Sequence, residues 1–336
     1  MRYIIIGAGA IGGTIGGRLF EGGHDVVLVA RGAHARALRD EGLRLITPEG
    51  QVTLPVPAVE SPDELRLTPD DVLVLCVKTQ DTVAALETWA YAPVAGGGTA
   101  AERLPLVCAQ NGVENERLAL RRFAHVYGMC VWLPAAHLEP GVVVAYAAPL
   151  SGMFHLGRYP HGLDEAAHRI AADLSKNALA AYAEEQVMRW KYAKLLTNLG
   201  NAYDAVCGDP AGRREVAGRL RAEGRAVLDA AGIDYASQEE ERARRGDQVT
   251  VRPIPGMGTN RSSSWQSLSR QSGSIEADYL NGEISLLGRL HGIPTPANDV
   301  LGRLANEHAR DRRPPGSLSV SEVIAAIDAA TAESRR

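Results

Sequence analysis

The run Gly7-Ala8-Gly9-Ala10-Ile11-Gly12 follows the apolar stretch Tyr3-Ile4-Ile5-Ile6 and opens a helical pattern over residues 10–21. A strand, then G-x-G-x-x-G, then a helix leaves few folds open, because each glycine has its own task. The first permits a tight turn, the second lets backbone approach a pyrophosphate, and the third lets the helix close on the sheet. The helix N-terminus then presents free N–H groups to phosphate. A glycine turn that simply packs tightly would look alike, so the surrounding pattern has to decide.

That pattern alternates. Asp25–Ala30, Asp71–Val77 and Leu104–Ala109 are short apolar runs, separated by helical patterns over 35–41, 79–89 and 114–123. Leu43–Ile46 and Val52–Val56 flank Pro48-Glu49-Gly50 as two strands about a turn, and strand-like segments cover 142–147 and 152–157. Apolar strands alternating with helices imply βαβ units and a parallel sheet buried on both faces. From about Leu163 the chain turns to long helical patterns at 163–182, 184–207, 210–231, 273–291 and 297–309, with a last one from Ser321. Residues 234–262, charged and then rich in Pro, Gly and Ser, read as one long loop. The expected fold is α/β, a Rossmann-type doubly wound parallel sheet over 1–180 followed by an all-helical domain over 181–336.

Composition excludes several classes. Lys plus Arg number 36 against 40 Asp plus Glu, a net charge of -4 with no basic stripe, which argues against a nucleic-acid binder. At 45% hydrophobic and 23% charged residues, wholesale disorder is excluded. No apolar run approaches the roughly 20 residues of a membrane span. Cys76, Cys108, Cys130 and Cys207 form no C-x-x-C pair and no metal-like spacing, so free thiols in a reducing cytoplasm are expected and no metal.

Other candidates lie where doubly wound sheets bind ligands, at the C-terminal ends of strands. The second strand ends in Arg31 instead of the acid that contacts a ribose diol, which suits a 2′-phosphate and favours NADP(H). His34 and Arg36 could assist. Lys78 and Asn111 stand in the loops after two further strands, able to face phosphate, carboxylate, ribose or nicotinamide. In the helical half, ~100° per residue puts Lys194, Asn198 and Asn201 within about 60° on one face. A lysine on an otherwise apolar helix can act as a general acid. Lys191 lies on the same side, and the residues leave the choice between the two open. Ser262, Ser263 and Ser264 could be caps, and Glu276 and Asp278 solvated helix carboxylates.

Taken in order, GAGAIGG at 7–13, Arg31, VKT at 77–79, QNG at 110–112, KLLTN at 194–198, SSSWQ at 262–266 and IEADYLNG at 275–282 resemble the ketopantoate reductase family over residues 1 to about 310. The resemblance implies NADPH-dependent reduction of an α-keto acid. It makes Lys194 the catalytic lysine and Glu276 the glutamate that meets the reacting oxygen. It makes Asn198 a substrate amide and Ser263 the serine at the substrate carboxylate. Gly7, Ala8, Gly9, Ala10, Ile11, Gly12, Arg31, Lys78 and Asn111 then fall on the cofactor side. Position 202 is Ala where the family often has a second Asn, and Asn201 projects from nearly the same face. Another 2-oxo acid reductase, an opine-type dehydrogenase and a non-catalytic dinucleotide sensor are the alternatives. Helical second halves of this kind often pair, so a homodimer is expected, with neither nucleic acid nor membrane as partner.

Overall fold

The computed structural model describes residues Met1–Ser334, which gather into two compact units. Met1–Lys191 with Ser237–Asn260 form the first, and Tyr192–Ala236 with Arg261 onward form the second. The sequence pattern instead places a single boundary at 180.

The first unit carries an eight-stranded sheet of β1 (Arg2–Ile6), β2 (Asp25–Val29), β3 (Ala58–Val59), β4 (Asp71–Leu75), β5 (Leu106–Cys108), β6 (Val126–Trp132), β7 (Gly152–Arg158) and β8 (Leu179–Ala183). They lie in the order β3-β2-β1-β4-β5-β6-β7-β8. The first six are parallel, in the Rossmann order, as the sequence predicts. β7 then pairs antiparallel with β6, and β8 parallel with β7, so the far edge is mixed. Alternate side chains serve opposite faces. Tyr3, Ile5, Val26, Leu28, Val72 and Val74 join one core with Ile15, Leu19 and Ile170 of covering helices. Ile4, Ile6, Val27, Val29, Leu73 and Leu75 join the other with Leu86, Trp89 and Ala119. Each such side chain contributes roughly 1.5–3 kcal/mol by burial, so the apolar runs can only be central strands. A smaller sheet in the same unit orders Gly50–Leu54, Leu43–Thr47, Val142–Ala145 and Ala135–Ala136, its hairpin at the expected turn.

Two expected helices and one expected loop are corrected. The helix expected over 163–182 runs only Glu165–Leu174, and Leu179–Ala183 becomes β8, which pairs with β7. Ala178 makes the reversal at φ 48. The helix expected over 184–207 is Val187–Asn198 and Gly200–Val206, interrupted at Leu199. The supposed loop 234–262 holds a helix, Gln238–Arg245, and a strand, Val249–Val251, that pairs antiparallel with Ala147–Pro149. A reciprocal Ser237–Glu240 capping box starts that helix.

This excursion is fastened to the first unit by rings and ion pairs. Arg244 lies over the Tyr182 and Trp190 rings at 4.8 and 5.2 Å and pairs with Glu184 at 2.6 Å. The His155 ring stacks on Trp190 at 3.9 Å and bonds Glu184 through Nδ1. Arg189 grips Glu240 with both guanidinium nitrogens, and Ile254 is buried with Ile46, Ala136, Val144 and Tyr146. β8 and these contacts explain why the first unit extends past 180.

Among its described residues the second unit is helical throughout: Gly200–Val206, Pro210–Ala230, Ser263–Ser269, Asn281–His291, Pro296–Arg310 and Val320–Ser334. Its core includes Leu199, Val216, Leu220, Val227, Ile284, Leu301 and Ile327. Among the described residues no helix is long and apolar enough to cross a membrane.

Candidate active site

Strand ends assemble a candidate cofactor site in the first unit. The N–H groups of Gly7 and Ala8 donate to Val29 O of β2, and Cys76 N–H, just past β4, donates to Ile6 O. The glycine turn therefore sits at the end of β1, between β2 and β4, where the chain order reverses and such sheets bind ligands. Gly7 has φ +102, and a Cβ there would lie 2.9 Å from Val77 N. A Cβ on Gly12 would lie 2.1 Å from Gly7 O, so the helix closes on its own turn. Gly9 differs, since a Cβ there would meet nothing within 4 Å. Its lack of a side chain serves no packing inside the protein and leaves space beside the helix N-terminus. The first turn of Ala10–Glu21 has no acid and no side-chain cap, so its N–H groups remain for an anion.

His34 braces this turn from the protein side. Its Nε2 donates to Ala8 O at 2.8 Å, and its Nδ1 accepts Gly141 N–H at 2.9 Å. Only the neutral ring with its proton on Nε2 fills both roles. Burial lowers the His34 pKa, opposed by the bond to Ala8. The sequence offers His34 as an assistant on the cofactor side, whereas its ring nitrogens are engaged with backbone. Arg31 is exposed at the N-cap of the helix Gly32–Glu41. Glu60, distant in sequence, brings a carboxylate oxygen to 3.5 Å from Gly32 N–H and sits 3.8 Å from Arg39. The sequence pattern, which looks for an acid on the strand itself, misses it.

Lys78 and Asn111 begin the loops after β4 and β5, and a polar network behind them fixes both. Gln110 Nε2 donates to Val77 O at 2.9 Å and to Thr82 Oγ1 at 2.8 Å. Asn115 Nδ2 donates to Asn111 O at 3.0 Å. Lys191 is 2% exposed, donates to Gln110 O at 3.1 Å and pairs with the fully buried Glu116. That pairing, unforeseen in sequence, occupies Lys191 within the first unit.

In the second unit Lys194 is half-buried and Asn198 buried on Val187–Asn198. Asn201 falls on the next helix, because the run expected to be continuous breaks at Leu199. Asn281 Nδ2 reaches the Leu199 carbonyl at 3.1 Å, which brings the segment after Glu276 to the end of the helix bearing Lys194. Glu276 is only 4% exposed, unlike the exposed Asp278, so the solvated-carboxylate alternative fails for it. The three serines separate. Ser262 Oγ caps Trp265 N–H, and Ser262 N–H donates to the buried carboxylate of Asp204 at 3.1 Å. Ser263 Oγ is buried with no hydrogen-bond partner among the described residues. Asp204 also takes Arg213 at 2.8 Å and Arg261 at 3.2 Å, and Arg261 lies over the Trp265 ring at 4.2 Å. Asp204 thus secures the serine segment to Gly200–Val206, a tie between distant residues that spacing does not reveal.

A Rossmann sheet with its glycine turn, joined to a helical unit, is the architecture of a two-part dinucleotide-dependent oxidoreductase. A family model described as Ketopantoate reductase PanE/ApbA matches residues 3–161, and the C-terminal model of the same family matches residues 186–309. The chain belongs to the ketopantoate reductase family. It is 29% identical over 326 residues to a 2-dehydropantoate 2-reductase of Halobacterium salinarum, covering 93% of this chain and all of that relative. A PanE/ApbA family ketopantoate reductase from Ralstonia eutropha JMP134 superposes with a TM-score of 0.75 at 27% identity, over 93% of this chain and 100% of that one. D-mandelate dehydrogenase with NADH and anilino(oxo)acetate shares the fold at a TM-score of 0.76 and 22% identity, over 93% and 99% of the two chains.

Proposed function

We propose that the protein reduces 2-dehydropantoate to pantoate with NADPH. The observation that carries this is the family match through both units, which takes in the glycine turn as well as the segments bearing Lys194, Ser263 and Glu276. The space at Gly9 and the uncapped helix N-terminus beside it support a dinucleotide pyrophosphate, with Gly7, Ala8, Ala10, Ile11 and Gly12 forming the turn. Lys78 and Asn111 would complete the cofactor side, and Arg31, exposed at the end of β2, would meet a 2′-phosphate. When bound, the cofactor supplies a hydride for the keto carbon.

Lys194 gives the proton to the keto oxygen, and its charge stabilises the alkoxide as it develops. The pairing of Lys191 with Glu116 favours Lys194 over Lys191 for this step. Ser263 donates to the substrate carboxylate, a partner its buried hydroxyl otherwise lacks. Asn198 and Asn201 hold the substrate's polar groups, and Glu276 accepts a hydrogen bond from the reacting hydroxyl. Loss of NADPH absorbance with 2-dehydropantoate tests the proposal, against phenylglyoxylate, against pyruvate plus an amino acid, and against NADH. No turnover of 2-dehydropantoate beside turnover of another keto acid moves the assignment to that substrate. Tight NADPH binding without turnover makes the protein a sensor. Glu60, near the turn after β2, favours NADH as a second reading, and the NADH arm decides it.

A further inference from the structure

We propose that Lys191, through its pair with Glu116, is a positioning residue that sets the loops after β4 and β5; this rests on the dinucleotide-binding reading above. Both partners are almost wholly buried, and replacing such a pair by apolar groups of similar volume is often neutral or stabilising. Fold stability is therefore a weak reason for an ammonium at this position. Its second bond supplies a stronger one. Lys191 Nζ holds Gln110 O at 3.1 Å, the carbonyl immediately before Asn111. The Gln110 side chain in turn holds Val77 O, immediately before Lys78, and Thr82 Oγ1. Thr82 donates to Asn115 Oδ1 at 2.7 Å, and Asn115 Nδ2 donates to Asn111 O and to Thr79 Oγ1. Gln110 and Asn115 thus each tie the two loops together, and the Gln110 carbonyl is held by a charged donor.

Glu116 keeps that donor in place. Burial pushes its carboxyl pKa up while Lys191 draws it back, so each charge is the other's compensation. Glu116 Oε2 and Gln110 Oε1 have no hydrogen-bond partner among the described residues. The network is short of donors, and the three N–H groups of the ammonium are what a methionine of similar length lacks.

The double variant Lys191→Met/Glu116→Leu removes both charges and keeps the volume. Its thermal midpoint is expected at or above that of the intact protein, while NADPH, titrated by tryptophan fluorescence, binds on the order of tenfold more weakly. A structural pair alone would leave the Kd unchanged, and that result overturns the proposal. If the double variant does not fold, the single variants carry the test. In Glu116→Gln the amide oxygen still accepts from Nζ, so NADPH binding stays within about threefold while the thermal midpoint falls, whereas Lys191→Met loses about tenfold in NADPH affinity. Equal losses in the two overturn the proposal. An intact chain that binds neither NADPH nor NADH overturns the dinucleotide reading itself, and this proposal with it.

Discussion

In the proposed function the glycine turn of the first unit would offer a ligand its backbone and the segments around Lys194, Ser263 and Glu276 in the second would offer side chains, and the two are kept in shape differently. At the turn, the geometry is local: Gly7, Gly9 and Gly12 lie within six residues, and backbone hydrogen bonds from Gly7 and Ala8 to β2 hold its start. In the second unit, Asp204 reaches residues 57 and 58 positions away, and Asn281 reaches back 82 positions to Leu199. A site made of backbone is sensitive to added atoms; a site made of side chains is sensitive to removed ones.

The sharpest way to break this contrast is Lys194→Ala. Turnover is expected to fall by roughly two to four decades while the NADPH Kd stays near that of the intact protein. A variant that keeps its turnover would remove Lys194 from the chemistry. Next come two glycines that test added atoms separately. Gly12→Ala forces a methyl onto Gly7 O and should lower both the thermal midpoint and NADPH affinity, the latter by about a hundredfold. Gly9→Ala meets no protein atom, so its thermal midpoint should hold while NADPH affinity drops by about tenfold or more. If Gly9→Ala binds NADPH normally, the space at Gly9 is not a ligand's.

Ser263→Ala should raise the KM for the keto acid about tenfold, the worth of one hydrogen bond to a carboxylate. Its stability should hold or rise, since a buried hydroxyl without a partner is removed. Lower stability with unchanged KM would count against a substrate role. The smallest effect is one of pH. Burial holds the folded-state pKa of His34 below its ordinary value of 6.5, so at mildly acidic pH the unfolded chain binds the extra proton. The stability His34 contributes is complete above about that value and declines as pH falls below it. Protonation would also cost the Gly141 N–H bond, and the His137 ring lies 4.2 Å from that of His34. NADPH affinity should weaken a few-fold on acidification, and less in His34→Asn, a difference that fluorescence titration at several pH values would register.

What is legible in the sequence follows the same division. Strand, turn and helix at Tyr3–Gly12 are read from spacing because each residue's reason lies with its neighbours, and the family motifs extend that reading across the chain. β8 reads as helix in sequence because Leu179–Ala183 carries no clear period, and only its register on β7 makes it a strand. The break at Leu199 involves Asn281, and the orphaned hydroxyl of Ser263 depends on how the serine segment is tied to Asp204; neither is a property of the local sequence. The Lys191–Glu116 pair joins residues 75 apart, so a lysine that looks interchangeable with Lys194 by angle differs from it by partner. The excursion's helix is the exception, since Ser237-Gln238-Glu239-Glu240 spells a capping box, a local signal that the Pro- and Gly-rich stretch beyond it outweighs.

That excursion also bears on how such a protein could be divided or recombined. The polypeptide passes between its two units three times, after Lys191, after Ala236 and after Asn260, so no single cut separates them. A fragment ending at Lys191 would lose Arg244 from the faces of Tyr182 and Trp190 and Ile254 from its apolar cluster. Exchange of the helical unit between relatives would therefore have to keep Ser237–Asn260 with the Rossmann unit, as an insert returned to its owner.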